Sequence, residues 1–190
     1  MLFRSELTPG TTKTVILKNK FLFLSLLLRH IGAAAVWTIL PIMIVEKLGG
    51  ELYHISIVYV ANTMAAFILM NVMASKIHLS NVTKFKIGIG FTTFVFIGLS
   101  VITEWWMAMP FMALVGATWA FLFIGGNFHL MENNPKSTST GIFSSTLSIA
   151  TVIGPIIAGS IAFLFDYVAV MYFAIAIIIV AFVVSLKIKK

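Results

Sequence analysis

An all-α polytopic membrane protein with six crossings is the fold class that the sequence predicts, and three observations predict it. Hydrophobic residues make up 60% of the 190 residues and charged residues 10%, against roughly a quarter charged in a soluble domain. Six apolar stretches of about 20 residues, the length that crosses about 30 Å of hydrocarbon, are separated by short polar breaks. The basic residues fall almost entirely on one side of the alternation that these stretches define. A soluble core of this size has no room for so much apolar side chain, which excludes a soluble enzyme, a secreted disulfide module and a disordered tail. The absence of cysteine removes thiol nucleophiles, thiolate metal sites, disulfides and Cys-linked lipid anchors.

The first 20 residues carry Arg4, Glu6, Lys13, Lys18 and Lys20 with Pro9 and Gly10, and read as a polar, exposed cytoplasmic lead. They are not a signal peptide, because the apolar stretch that follows is far longer than an h-region and has no small-residue cleavage site. One six-helix transmembrane domain is expected over residues 21–187. Its spans are placed at 21–45, 52–74, 85–103, 106–131, 140–165 and 168–186. Continuous apolarity over these lengths argues helices, since barrel strands are about 10 residues long and alternate.

An even number of spans puts both termini on one side, and the basic residues identify it as cytoplasmic. That side receives Arg4, Lys13, Lys18, Lys20, Lys76, Lys84, Lys86, Lys136, Lys187, Lys189 and Lys190, eleven of the thirteen basic residues. The other side keeps Lys47 with Glu46, Glu51, Glu104 and Asp166, and Arg29 is left inside the membrane. The net charge of +7 is thus explained by topology and by attraction to anionic lipid headgroups, without a nucleic-acid partner. Trp105 and Trp106 sit at the outer edge, where aromatic rings favour the headgroup zone. A multi-pass protein of the plasma membrane is expected.

Helices in lipid meet through small residues that let backbones approach. In the fifth span Thr146, Ala150, Gly154, Ala158 and Ala162 recur every four residues and so share one face. That face is expected to touch a neighbouring helix. Pro155 removes a backbone donor in mid-helix, so a kink or a flexible joint is expected there. Spans three and six, with β-branched and aromatic runs at 91–96 and 175–184, read as outer helices facing lipid. Spans one, two, four and five hold most mid-membrane polar groups and are expected to surround any cavity. Outer helices at positions three and six suggest two three-helix units, inverted because each has an odd number of spans.

Polar groups in the bilayer are costly and so single out candidate sites. Arg29 lies about 12 Å into the first span. It is read either as snorkelling or forming a structural ion pair, or as meeting an anionic substrate or coupling carboxylate. His30 follows it, and His129 lies near the inner end of span four with Asn127. Each histidine is either a proton carrier or a hydrogen-bonded member of the bundle, the commoner case. Asn62 and Asn71 in span two are glue between helices or ligand contacts. His30, Ala34, Thr38 and Pro41 share one face of span one, with Trp37 at its border, and Tyr59, Asn62 and Ala66 share one of span two. Met112, Gly116, Trp119, Phe123 and Asn127 follow a three-to-four repeat along span four. A lining of Trp, Met, Phe and amides suits an amphipathic or apolar solute, and ordinary packing accounts for the stripe as well. Arg29, His30, Trp37, Asn62, Trp119 and Asn127 are the cavity candidates. No acidic residue lies deep in a span, so a relay built on a buried carboxylate is not contained here. With no H-E-x-x-H, G-x-S-x-G or P-loop pattern, neither an enzyme nor a nucleotide-driven pump is expected, and no metal or cofactor is implied.

In span five, Gly141, Ala150, Gly154, Pro155, Ala158 and Gly159 stand at spacings that resemble the Gly-Pro motif of major facilitator superfamily transporters, with alanine at two of its glycine positions. Residues 133–141 are similar to the short cytoplasmic approach to the eleventh helix of that family, and Arg29, His30 and Gly32 through Pro41 to Gly49 resemble the seventh helix and its exit. The resemblance covers about residues 20–187. Residues 71–76 lack the glycine and aspartate of the loop signature that the family often carries between its second and third helices, as befits the second half of the fold. The lead likewise resembles the end of a central loop. The resemblance implies the C-terminal six-helix half, helices seven to twelve, of a drug or metabolite efflux-like secondary transporter. Such transporters rock two halves about a midplane site, so it also implies a second half, from an identical copy or a separate chain. A small-molecule substrate and the lipid bilayer complete the expected partners. The rival expectation is a non-transporting membrane subunit or a truncated remnant.

Overall fold

A computed structural model describes residues 9–75 and 77–189, with backbone only at 9–11 and 73–75. Arg4, Glu6, Lys76 and Lys190, all expected on the basic side, lie outside the described residues. The elements are α1 (Pro9–Lys18), α2 (Lys20–Glu46), α3 (Leu52–Ser75), α4 (Asn81–Leu99), a 3-10 turn (Trp105–Met107), α5 (Ala108–Asn133), α6 (Lys136–Leu164) and α7 (Tyr167–Ser185). Helices α2 to α7 supply the six spans long and apolar enough to cross a membrane. The chain is therefore an all-α, multi-pass membrane protein in contact with lipid.

Polar caps move some boundaries away from the apolar stretches. Ser80 Oγ accepts from the Thr83 N–H at 3.2 Å, which starts α4 four residues before the expected span. Asp166 Oδ1 does the same for α7 by accepting from the Ala169 N–H at 2.7 Å. After α2, Gly49 takes φ 66°, the left-handed conformation that glycine reaches without strain, and the Gly50 N–H closes the turn on Ile44 O. The described part of the lead forms α1, which buries Val15 and leaves residues 12–14 and 16–18 exposed.

Helix neighbours follow an exchange rule. α2 packs on α6 and α7, α5 packs on α3 and α4, and α4 meets α7, whereas α2 touches α3 only lightly. Swapping α2 with α5, α3 with α6 and α4 with α7 leaves this pattern unchanged. Each three-helix unit thus inserts its first helix between the other unit's second and third. With three spans apiece the units run in opposite senses across the bilayer, as the inverted pair expected from the span count requires.

The contacts are made at small residues. A Cβ built on Gly154 would lie 2.6 Å from Ala34 Cβ and 3.0 Å from Ala35 N, so the four-residue stripe of α6 meets α2 as expected. A Cβ on Gly116 would fall on the Asn62 carbonyl oxygen, which seats α5 on α3. Gly32 plays the same part against Ala174 O of α7, and Gly88 of α4 against Leu122 N and Thr118 O of α5. Helix α6 continues through Pro155, which leaves the Thr151 carbonyl without its helical donor.

Burial within the chain does not single out the third and sixth spans, expected to face lipid, as the least enclosed pair. α4 is among the more enclosed helices, while α3 and α6 are the least enclosed of the six. Of the four spans expected to surround a cavity, α2 and α5 are enclosed within the chain, while α3 and α6 each leave a face uncovered by it. The physical reason is that lipid solvates apolar side chains as well as a neighbouring helix does, so the distribution of polar groups does not decide which helix is enclosed. Close backbone approach decides it, and Gly88 gives α4 that approach.

Candidate functional site

The interior helix α2 carries the most buried charged residue among the described residues. Arg29 is 2% exposed, and its Nε and Nη2 donate to Thr92 Oγ1 on α4 at 3.4 and 3.2 Å. The Thr92 hydroxyl donates in turn to Gly88 O at 2.7 Å, which turns its lone pairs toward the guanidinium. On the other side the guanidinium lies 5.7 Å from the centre of the Trp119 ring of α5, within cation–π reach. Thr92 is eleven residues along α4, about 16 Å from that helix's start. Arg29 therefore does not snorkel. Among the described residues no carboxylate pairs with it, so a neutral hydroxyl and a π face hold the cation. The structural ion pair considered from the sequence is not formed there.

His30 adds the second feature. Its ring lies 5.5 Å from that of Trp119, and its Nδ1 is the one buried side-chain nitrogen or oxygen without a hydrogen-bond partner among the described residues. From Trp119 the aromatic contacts continue to Phe123 at 5.4 Å and on to Phe143 of α6 at 5.7 Å. α2, α4, α5 and α6 thus meet around one cation, one imidazole and three aromatic rings.

The other candidates stand apart from this cluster. Trp37 packs 5.1 Å from Tyr59, whose hydroxyl donates to Trp37 O at 3.0 Å. Asn62 Nδ2 donates to Met112 O at 3.2 Å, tying α3 to α5 beside the Gly116 contact. Asn127 Nδ2 donates to Phe123 O within its own helix at 3.1 Å. Of the six candidates, then, Arg29, His30 and Trp119 come together, while Trp37 and Asn62 bond across helices and Asn127 bonds locally. In the motif of α6, Ala150, Gly154 and Ala158 are buried, Pro155 is half-buried, and Gly141 and Gly159 are exposed. Three contributors, Thr92, Phe123 and Phe143, were not among the six candidates, although Phe123 stood in the stripe of span four. Phe143 carried no signal, but the adjacent Thr92 and Thr93 in the middle of span three marked a polar position visible in the sequence.

No family model matches the chain, and no curated protein is similar to it.

Proposed function

We propose that the chain is one half of a secondary transporter of the major facilitator type, moving a small amphipathic solute by alternating access with a second six-helix unit. The observation that carries this reading is the unpaired Arg29 at membrane depth, beside His30 and Trp119. A buried cation without a carboxylate is expensive, and an anionic group on a solute would compensate it. The exchange pattern of the helices supports the same reading, because inverted three-helix units that place a midplane site between them are a recurrent transporter architecture.

The second unit is proposed to sit against α3 and α6. The outward side of α6 presents Ser144, Ser145, Ser148 and Thr151, all polar groups at lipid depth. Gly141 and Gly159 flank them with no atom within 4 Å of an added Cβ. Eighteen residues make five turns, so the two glycines lie on one line, where small residues let another bundle approach. In this proposal both termini are cytoplasmic, following the basic residues, and α6 is the moving joint at Pro155.

A specific observation favours the rival reading of a non-transporting membrane subunit. Tyr59, Asn62 and Asn127 already have partners within the chain, as structural glue would. The test is flux in reconstituted vesicles with a panel of anionic amphipathic dyes, together with disulfide trapping of Ser148→Cys in the cysteine-free chain. Gradient-driven dye uptake that Arg29→Ala abolishes, with Ser148→Cys forming a covalent dimer, is the expected result for a pair of identical halves. Equal uptake by Arg29→Ala and the parent rejects the transport role.

A further inference from the structure

The Lys-rich end of the bundle contains a cavity of about 460 Å³, within the range of small-ligand sites. It lies where the start of α2, the end of α5 and the end of α7 converge. Lys18, Lys187 and Lys189 line it, with His129 and Asn133 between them. Lys18 Nζ spends one N–H on Asn133 O at 3.4 Å, which leaves two of its three donors. Lys187 Nζ sits 5.7 Å from the centre of the Phe21 ring, and Lys20 Nζ lies 5.2 Å from the same ring. A π face holds these ammonium groups near one another without neutralising them.

Among the described residues no carboxylate lines the cavity. Glu132, the one acid at this end of the described chain, accepts from Asn81 Nδ2 and lines a separate cavity with Asn81 and Lys136. Phe21, Leu22 and Ile188 supply an apolar wall next to the lysines. The combination of clustered ammonium groups and an apolar wall, at the end of membrane-spanning helices, matches a headgroup that is anionic at one end and continues into hydrocarbon. Basic pockets between helices at this depth recognise such headgroups, and lysine binds phosphate as a point charge.

We propose that this cavity is a phosphodiester site, occupied by the headgroup of an anionic phospholipid such as phosphatidylglycerol. The site is separate from the Arg29 cluster and does not depend on whether the chain transports anything. Lys18 ends α1 just before the first span, and Lys187 and Lys189 follow the last, so a bound headgroup ties the two ends of the bundle together.

The test is native mass spectrometry of the full chain in mild detergent, titrated with phosphatidylglycerol, phosphatidylcholine or inorganic phosphate. Phosphatidylglycerol is expected to bind in a 1:1 step that phosphatidylcholine does not show. Each lysine in the cavity replaced by glutamine should weaken that step about fivefold, and the triple variant Lys18→Gln, Lys187→Gln, Lys189→Gln should lose it. The matching arginine triple should keep it. A control triple at Lys13, Lys47 and Lys136 removes the same charge outside the cavity and should leave binding within twofold. Equal loss in the two glutamine triples would show diffuse surface attraction and overturn the site. Inorganic phosphate that competes at the concentration of the lipid would assign the cavity to a free anion and overturn the lipid assignment.

Discussion

At Gly116 a methyl group would land on the Asn62 carbonyl of α3, whereas at Gly141 and Gly159 of α6 it would meet no atom within 4 Å. The two sets of glycines face opposite ways, the first toward helix contacts inside the chain and the second outward. Glycine in mid-helix costs about 0.5–1 kcal/mol relative to alanine. At Gly116 that cost is offset by an approach no larger residue permits. At Gly141 and Gly159 nothing inside the chain offsets it. The comparison teaches that contacts within the chain account for the inward glycines, whereas no contact among the described residues accounts for the outward pair. A second bundle against α6 is the occupant we propose.

The largest effect is expected inside the seams. Gly116→Val forces Asn62 and its backbone away, and overpacking of this kind costs about 1–3 kcal/mol, the upper end where the obstacle is backbone. Unfolding in detergent should show a lower midpoint and a loss of monodisperse protein. Gly154→Ala should cost less, because one of its obstacles is the Ala34 methyl group. Adding Ala34→Gly should recover part of the loss; no recovery would mean that Ile31 O, 2.8 Å from the added Cβ, controls the contact.

A second comparison separates stability from the proposed role of Arg29. Thr92→Val removes the acceptor of a buried guanidinium and should destabilise by about 1–3 kcal/mol. Arg29→Met removes the charge itself, a change that is neutral or stabilising by about 1–4 kcal/mol in buried ionic sites. Thr92→Val should therefore lower the unfolding midpoint, and Arg29→Met should not. A large loss of stability in Arg29→Met would make the cation structural and weaken the case for a solute partner.

The smallest effect on the chain itself is expected at the outward glycines. Gly141→Ala and Gly159→Ala should raise the unfolding midpoint slightly, by no more than about 1 kcal/mol. Their effect should appear in association. If α6 meets a second bundle, the double variant should shift the mass in mild detergent toward the monomer. An unchanged mass distribution would remove these glycines from the interface.

Much of the site was visible one helix at a time. Arg29, His30 and Trp119 stand out because polar and aromatic groups at membrane depth are few, and the stripe through Gly154 follows from a repeat of four. Thr92 as the partner of Arg29 was not visible in that way, since the pairing joins residues 63 positions apart on helices that are not consecutive. The lysine-lined cavity was hidden for the same reason. Its lysines are obvious as charges, but their convergence depends on α2 and α7 being neighbours.

The number of crossings, their lengths and the one-sided basic charge were all set along the chain, because hydrocarbon thickness and headgroup charge act on each segment separately. Which helices are enclosed was not. Lipid and a neighbouring helix solvate an apolar side chain alike, so burial rests on how closely pairs of backbones can approach. That depends on which glycine faces which carbonyl across helices far apart in sequence, a match that exists only once the bundle has assembled.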